Sequence, residues 1–245
     1  MIGGDADGIA AIADRHAAGA VHTPDASGGT ATGVSKVGTL TLATGAKLNL
    51  QDNKLITANA VGSATAGVYN GVTGLIQAGR GNGSWNGSTG IITSQTVATT
   101  SNFNSIGVAL GSEVKGVAST ATAVWAGQTV TGSDTLVMYT YGGDANLDGK
   151  INVDDYGRID FAVPLGIAGW SNGDFNYDGK INVDDYGIID FNVGIQGPAF
   201  FTGSGIAGNG PVSLSGVTAV PEPTIISLIG VAAAAGLTRR RRRRH

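Results

Sequence analysis

Cysteine is absent from the 245 residues, and histidine is confined to His16, His22 and His245. The first absence excludes a disulfide framework, a thiolate metal site and a cysteine nucleophile. The second leaves a histidine-ligated zinc or a histidine base almost nothing to build from. Proline occurs only 6 times and the glycines are not periodic, which excludes a collagen-like chain. Charged side chains make up 13% of the residues, and no basic patch with interleaved aromatics stands in the body of the chain. Nucleic acid is therefore not an expected partner. No H-E-x-x-H and no phosphate-binding P-loop occurs, and the chain is expected not to be an enzyme.

Glycine is in excess, at 41 residues. That share favours turns over long helices, because glycine disfavours a helix interior by roughly 1 kcal/mol relative to alanine. The hydrophobic share of 42% is enough to bury a core. The formal charge of −3 hides an asymmetry. Six of the 15 basic residues form one block, Arg239 to Arg244; without them nine basic residues face 18 acidic ones, a balance of −9. Ten of the acids lie between Asp144 and Asp190. A local excess of carboxylates points to a cation.

Residues 1–36 are of low complexity, rich in Ala, Gly and Asp. There Asp5, Asp7 and Asp14 read either as an ordinary acidic turn or as a degenerate remnant of an acidic loop. Met1 is not followed by a basic segment and an apolar run, so a fragment or a misassigned start is expected. Residues 37–141 read as a β-rich domain. Leu40, Leu42, Leu48 and Leu50 alternate with polar residues, and short apolar runs such as GVTGLIQAG (71–79), TGIITSQTVA, SIGVALG, TAVWAG and DTLVMYTY follow between turn residues. The stretch GTLTLATGAKLNL (38–50) resembles a rung of the right-handed parallel β-helix of autotransporter-type surface proteins. Trp85 and Trp125 are candidates either for core packing or for sugar stacking on a β surface.

The strongest signal is an internal repeat. GDANLDGKINVDDYGRIDF (143–161) recurs as GDFNYDGKINVDDYGIIDF (173–191), with differences only at Ala145/Phe175, Leu147/Tyr177 and Arg158/Ile188. Each copy spells an EF-hand-type calcium loop. Asp144, Asn146, Asp148, Lys150, Asn152 and Asp155 fall at positions 1, 3, 5, 7, 9 and 12; Asp174, Asn176, Asp178, Lys180, Asn182 and Asp185 repeat them. Ca²⁺ takes 6 to 8 oxygens, and alternate residues of a tight loop can aim oxygens at one centre. Glycine at position 6 allows the sharp turn. Position 7 supplies its backbone carbonyl, so a lysine side chain can point outward. Position 8, Ile151 or Ile181, is expected to pair the two loops. A short helix is expected after each loop. Its apolar stripe is Val153, Tyr156, Ile159 and Val163 in the first copy, and Val183, Tyr186, Ile189 and Val193 in the second. Asp154–Asp155 and Asp184–Asp185 also have the look of glycosidase carboxylate pairs. The loop accounts for the second of each pair, and a helix N-terminus suits the first.

These loops, each followed by one helix, resemble the dockerin type I domain over residues 142–197. The resemblance implies two bound calcium ions and docking onto a cohesin module through loop positions 10 and 11. Here those positions hold Val153–Asp154 and Val183–Asp184, where the family commonly has Ser or Thr. Residues 198–219 read as a Gly/Ser-rich linker, with Phe200 and Phe201 packing back onto the preceding domain.

Residues 220–245 hold Val220-Pro221-Glu222-Pro223, an apolar stretch from Ile225 to Leu237, and the arginine block. The apolar stretch is short of the roughly 20 residues that a bilayer core needs, though flanking and snorkelling residues extend it. This order resembles the PEP-CTERM sorting signal of bacterial surface proteins. The resemblance implies export to the cell envelope or exterior, at least transient membrane anchoring through the helix and arginine tail, and processing by an exosortase-like protease. The fold expected is mainly β, a solenoid or sandwich-like domain. A small α dockerin-like calcium domain and a C-terminal transmembrane-like helix are expected beside it. Two functions are open: a structural or adhesive surface protein, with an extracellular polysaccharide among its partners, or the non-catalytic end of a polysaccharide-degrading enzyme whose dockerin binds a cohesin-like protein.

Overall fold

The structure, a computed structural model, describes residues 21–22 and 33–200. Its strands are β1 (Val21–His22), β2 (Val34–Val37), β3 (Lys47–Asn49), β4 (Lys54–Thr57), β5 (Ala64–Thr65), β6 (Val68–Tyr69), β7 (Gly90–Ile92), β8 (Asn104–Leu110), β9 (Thr122–Trp125), β10 (Gln128–Thr131) and β11 (Thr135–Tyr141). Its helices are α1 (Gly71–Arg80), α2 (Thr96–Thr100), α3 (Gly111–Lys115), α4 (Val153–Ala162) and α5 (Val183–Val193).

The main sheet has the order β2-β4-β11-β8. β2 runs parallel to β4, and β11 is antiparallel to both β4 and β8. Strand β11, TLVMYTY, is built of β-branched, aromatic and apolar residues that suit a pleated surface, and all seven are buried. β1, β3 and β7 form a parallel sheet, and β5–β6 and β9–β10 are hairpins. The hairpins turn on Ala66–Gly67 and Ala126–Gly127, each pair at the positive φ that a type I′ turn requires.

This is a mixed architecture, many short strands with a few helices, and among the described residues there is neither a closed barrel nor a solenoid. The autotransporter-type rung does not form: within 38–50 only Lys47–Asn49 is strand. Leu40, Leu48 and Leu50 are buried all the same; Leu48 sits in the short parallel sheet between β1 and β7, while Leu40 and Leu50 face inward from outside any strand. The run 71–79, expected as strand, is the body of α1. Val72, Thr73, Ile76 and Gly79 recur at helical spacing and face inward. Packing on β7 and β8 outweighs the low propensity of its glycines.

One core runs across residues 141 and 142. Leu136 and Met138 of the sheet share it with Leu147, Ile159, Trp170 and Phe175 of the repeat. The differences between the two copies now have a reason. Ala145 and Leu147, Phe175 and Tyr177, and Ile188 are all buried, while Arg158 reaches the Glu113 carbonyl at 2.6 Å. The copies diverge where each meets a different part of the scaffold. The expected helical stripes are corrected at their first residue, since Val153 and Val183 are 80% and 79% exposed, and in the first copy also at the last, since Val163 is 44% exposed and lies beyond the end of α4. Asp155 and Ile159, and Asp185 and Ile189, turn inward instead.

Among the described residues no helix is long and apolar enough to cross a membrane. The expected tail helix at 220–245, Asp5, Asp7, Asp14 and Phe201 lie outside the described residues.

Gly107 of β8 lets the repeat approach. A Cβ there would stand 2.5 Å from Trp170 Nε1 and 2.7 Å from Leu147 Cδ2, whereas a Cβ on Gly157 in α4 would meet nothing within 4 Å. Gly107→Ala should lower unfolding free energy by about 1–3 kcal/mol, and Gly157→Ala should raise it by about 0.5–1 kcal/mol. Urea unfolding of both variants checks the pair; a neutral Gly107→Ala would remove the close approach.

Candidate metal centre

Each loop follows a similar hydrogen-bonded path. The Asp148 N–H donates to Asp144 Oδ1 at 3.1 Å and to Asn146 Oδ1 at 2.9 Å, which brings positions 1 and 3 to one point. In the second loop the Asp178 N–H does the same to Asp174 and Asn176, at 3.1 and 2.8 Å. Gly149 and Gly179 donate to the first aspartates at 2.9 and 2.8 Å. Position 12 folds back on the loop's start: Asp155 Oδ1 accepts from Ala145 N at 2.8 Å, and Asp185 Oδ1 from Phe175 N at 2.8 Å.

The helix start explains aspartate at position 12. α4 and α5 begin at position 10, so Asp155 and Asp185 stand in their first turns. Asn152 and Asn182 cap the helices, accepting from Asp154 N and Asp184 N at 2.7 Å. The aspartates complete capping boxes by accepting from the Asn152 and Asn182 N–H groups at 2.8 and 3.0 Å. Lys150 and Lys180 have exposed side chains, leaving position 7 its carbonyl.

The scaffold supplies partners that sequence reasoning missed. Thr140 of β11 donates its hydroxyl to Asp144 Oδ2, and Tyr69 of β6 donates to Asp174 Oδ2. Trp170 Nε1 donates to the Asp144 carbonyl at 2.7 Å. Gln77 Nε2 caps the Tyr177 carbonyl at 2.8 Å. Tyr69 lies 105 positions from its aspartate, so no local signal could have found it. Trp125 is buried, with its Nε1 on the Leu147 carbonyl at 3.5 Å, and Trp85 is buried as well; neither is a surface stacking platform.

The expected pairing of the loops through position 8 is not what forms. The Ile151 N–H donates to Gln196 Oε1 at 2.8 Å, and the Ile151 carbonyl accepts from Gln196 Nε2 at 2.7 Å. A side-chain amide thus fills the place expected for Ile181. The two copies are joined through their helices: the Tyr156 hydroxyl donates to Asp190 at 2.7 Å and the Tyr186 hydroxyl to Asp160 at 2.6 Å.

Asp144, Asp155, Asp174 and Asp185 are all 0% exposed. Burial holds the Asp144 carboxyl well above the ordinary range, Asp155 and Asp148 add to the rise, and the Thr140 hydroxyl opposes it. Burial pushes Asp155 and Asp185 up to about 6 against the pull of backbone N–H donors. Among the described residues no group of three or more His, Cys, Asp or Glu is already gathered as a metal cage; backbone N–H groups donate to the buried carboxylate oxygens in both loops. The donor set still fits a hard cation. Three carboxylates, two amides and one carbonyl per loop are all oxygen donors, and buried like charges are what a divalent ion would relieve.

Gly169 to Gly173 spells G-x-S-x-G, which sequence reasoning passed over. Ser171 is buried in a 3-10 turn, Trp170–Asn172, not on the exposed strand-to-helix elbow that a nucleophilic serine needs.

A raised carboxyl pKa stabilises the metal-free fold fully below the ordinary value near 4, and that contribution is lost as pH rises through about 6. Calcium needs the ionised form. The gain in Tm on adding Ca²⁺ should therefore grow between pH 4 and about 6, measured by thermal melts with and without the ion. A gain that is flat over that range would count against these carboxylates as ligands.

Residues 219–243 match the model of the PEP-CTERM protein-sorting motif. No match supports the dockerin or autotransporter-type resemblance, and no curated protein and no solved structure matches the chain. The PEP-CTERM motif marks an exported protein, sorted by an exosortase to the envelope or surface of a bacterium.

Proposed function

We propose that the chain is a non-catalytic, structural or adhesive protein of the cell surface or exterior, held in shape by two calcium ions. The observation that carries this reading is the same oxygen-donor loop folded twice, with a wholly buried first aspartate in each. Asp144, Asn146, Asp148, the Lys150 carbonyl, Asn152 through water, and Asp155 would hold one ion. Asp174, Asn176, Asp178, the Lys180 carbonyl, Asn182 and Asp185 would hold the other. The ion supplies positive charge to buried carboxylates; the residues themselves bind it and tie the loops to β11 and β6 through Thr140 and Tyr69. Since the repeat and the sheet share one core, the ions act on the whole fold rather than on a separable module.

The second reading, a dockerin that binds a cohesin, is favoured by the exposure of Val153 and Val183 at position 10. Pull-down against cohesin modules with and without EDTA tests it; calcium-dependent capture would support it, and no capture would remove it.

Calorimetric titration of the full chain with Ca²⁺ should show two bound ions and a raised Tm, and Asp148→Ala with Asp178→Ala should abolish both effects. No heat and no shift would sink the calcium reading. Deleting 220–245 should move the protein from the envelope fraction to the medium, since that deletion removes all but the first residue of the sorting motif at 219–243. Unchanged fractionation would speak against tail-directed retention.

A further inference from the structure

The stretch 194–200 leaves α5 and returns to the first loop. Gln196 meets Ile151 twice: its Oε1 accepts from the Ile151 N–H at 2.8 Å, and its Nε2 donates to the Ile151 carbonyl at 2.7 Å. The same Nε2 also donates to the Val193 carbonyl at 3.3 Å, which steadies the side chain from its own backbone. At the end of the stretch the Phe200 N–H donates to the Gly149 carbonyl at 3.0 Å. The approach there is close: a Cβ on Gly149 would stand 2.1 Å from the Phe200 carbonyl oxygen. Between the two contacts the Tyr141 hydroxyl accepts from the Gly197 N–H at 3.0 Å and donates to the Pro198 carbonyl at 2.9 Å, so the stretch is fastened to β11 as well.

This grip falls on both sides of Lys150, whose carbonyl is the ligand expected at position 7. The Ile151 N–H and the Lys150 carbonyl belong to one peptide group. The group is planar and trans, so the two point in opposite directions. Fixing the N–H on Gln196 therefore fixes where position 7 presents its oxygen. A hydrogen-bonded N–H also polarises its peptide, which makes the carbonyl a better electron-pair donor.

We propose that Gln196 is a positioning residue of the first calcium site, and that Ca²⁺ in that site closes the 194–200 stretch in return. This rests on the calcium proposal above. Binding couplings are reciprocal: what Gln196 adds to the affinity for the ion, the ion adds to the closure of the stretch. The chain beyond Phe200 runs on to the sorting motif at 219–243. The ion thus sets whether the fold ends at Phe200 or already at Val193, the last residue of α5, and so how far upstream of the sorting motif the chain is open to proteases.

The test is calorimetry on the full chain, with Asp178→Ala isolating the first site and Asp148→Ala the second, and circular dichroism as the check on folding. Gln196→Met keeps the bulk of the side chain and loses both bonds to Ile151. It should weaken the first site by roughly five- to ten-fold and leave the second within about two-fold. Gln196→Ala serves if the Met variant unfolds. Hydrogen exchange reads the reciprocal effect. Ca²⁺ should slow exchange of the Gly197 and Phe200 amides in Asp178→Ala and not in Asp148→Ala, and Gln196→Met should remove most of that slowing. An unchanged first site, an equal loss at both sites, or exchange at these amides that ignores calcium would overturn the role of Gln196 and leave calcium binding standing. No calcium heat in the parent chain would overturn the calcium reading itself.

Discussion

Four buried aspartates organise this fold. A carboxylate removed from water is costly unless hydrogen bonds or a cation satisfy it. Here Asp144 and Asp174 gather donors from their own loops and one hydroxyl each from the sheet and a hairpin. Asp155 and Asp185 close their loops and cap their helices with the same two oxygens. If those contacts were lost, the short helices α4 and α5 would have little to start them, since isolated helices of this length are marginal in water.

The duplicated segment is divided by use. Positions that line the loops are identical between copies, and so are the reciprocal Tyr156–Asp190 and Tyr186–Asp160 contacts that join the helices. The positions that changed are those pressed against the scaffold. Phe175 and Tyr177 carry large rings into the space around Trp170, at centroid distances of 5.2 and 5.4 Å, where the first copy has Ala145 and Leu147. A repeat placed twice on an unsymmetrical sheet needs two different inner faces.

What could be read in the sequence was local. The tight turn of each acidic loop, glycine at its position 6, the helix after each loop and the strand at 135–141 each depend on residues within about a dozen positions of one another. The contact of Phe200 with its domain was legible too, and its ring lies 4.8 Å from that of Tyr141. The illegible parts are those in which distant segments decide the outcome. Gln196 takes the place expected of Ile181, Tyr69 reaches Asp174, and α1 is helical because β7 and β8 lie beneath it. A solenoid was misread from 38–50 because inward-facing leucines look the same in a full rung and in a stretch of which only Lys47–Asn49 is strand.

The Phe200 contact has a mechanical consequence. The chain leaves the described fold at that residue, whose N–H donates to the Gly149 carbonyl at 3.0 Å and whose ring packs on Tyr139 and Tyr141. Any tension drawn through the following polypeptide enters the protein there. It pulls first on the turn of the first acidic loop and on the central strand, so the point of load and the first of the two proposed calcium loops are one place.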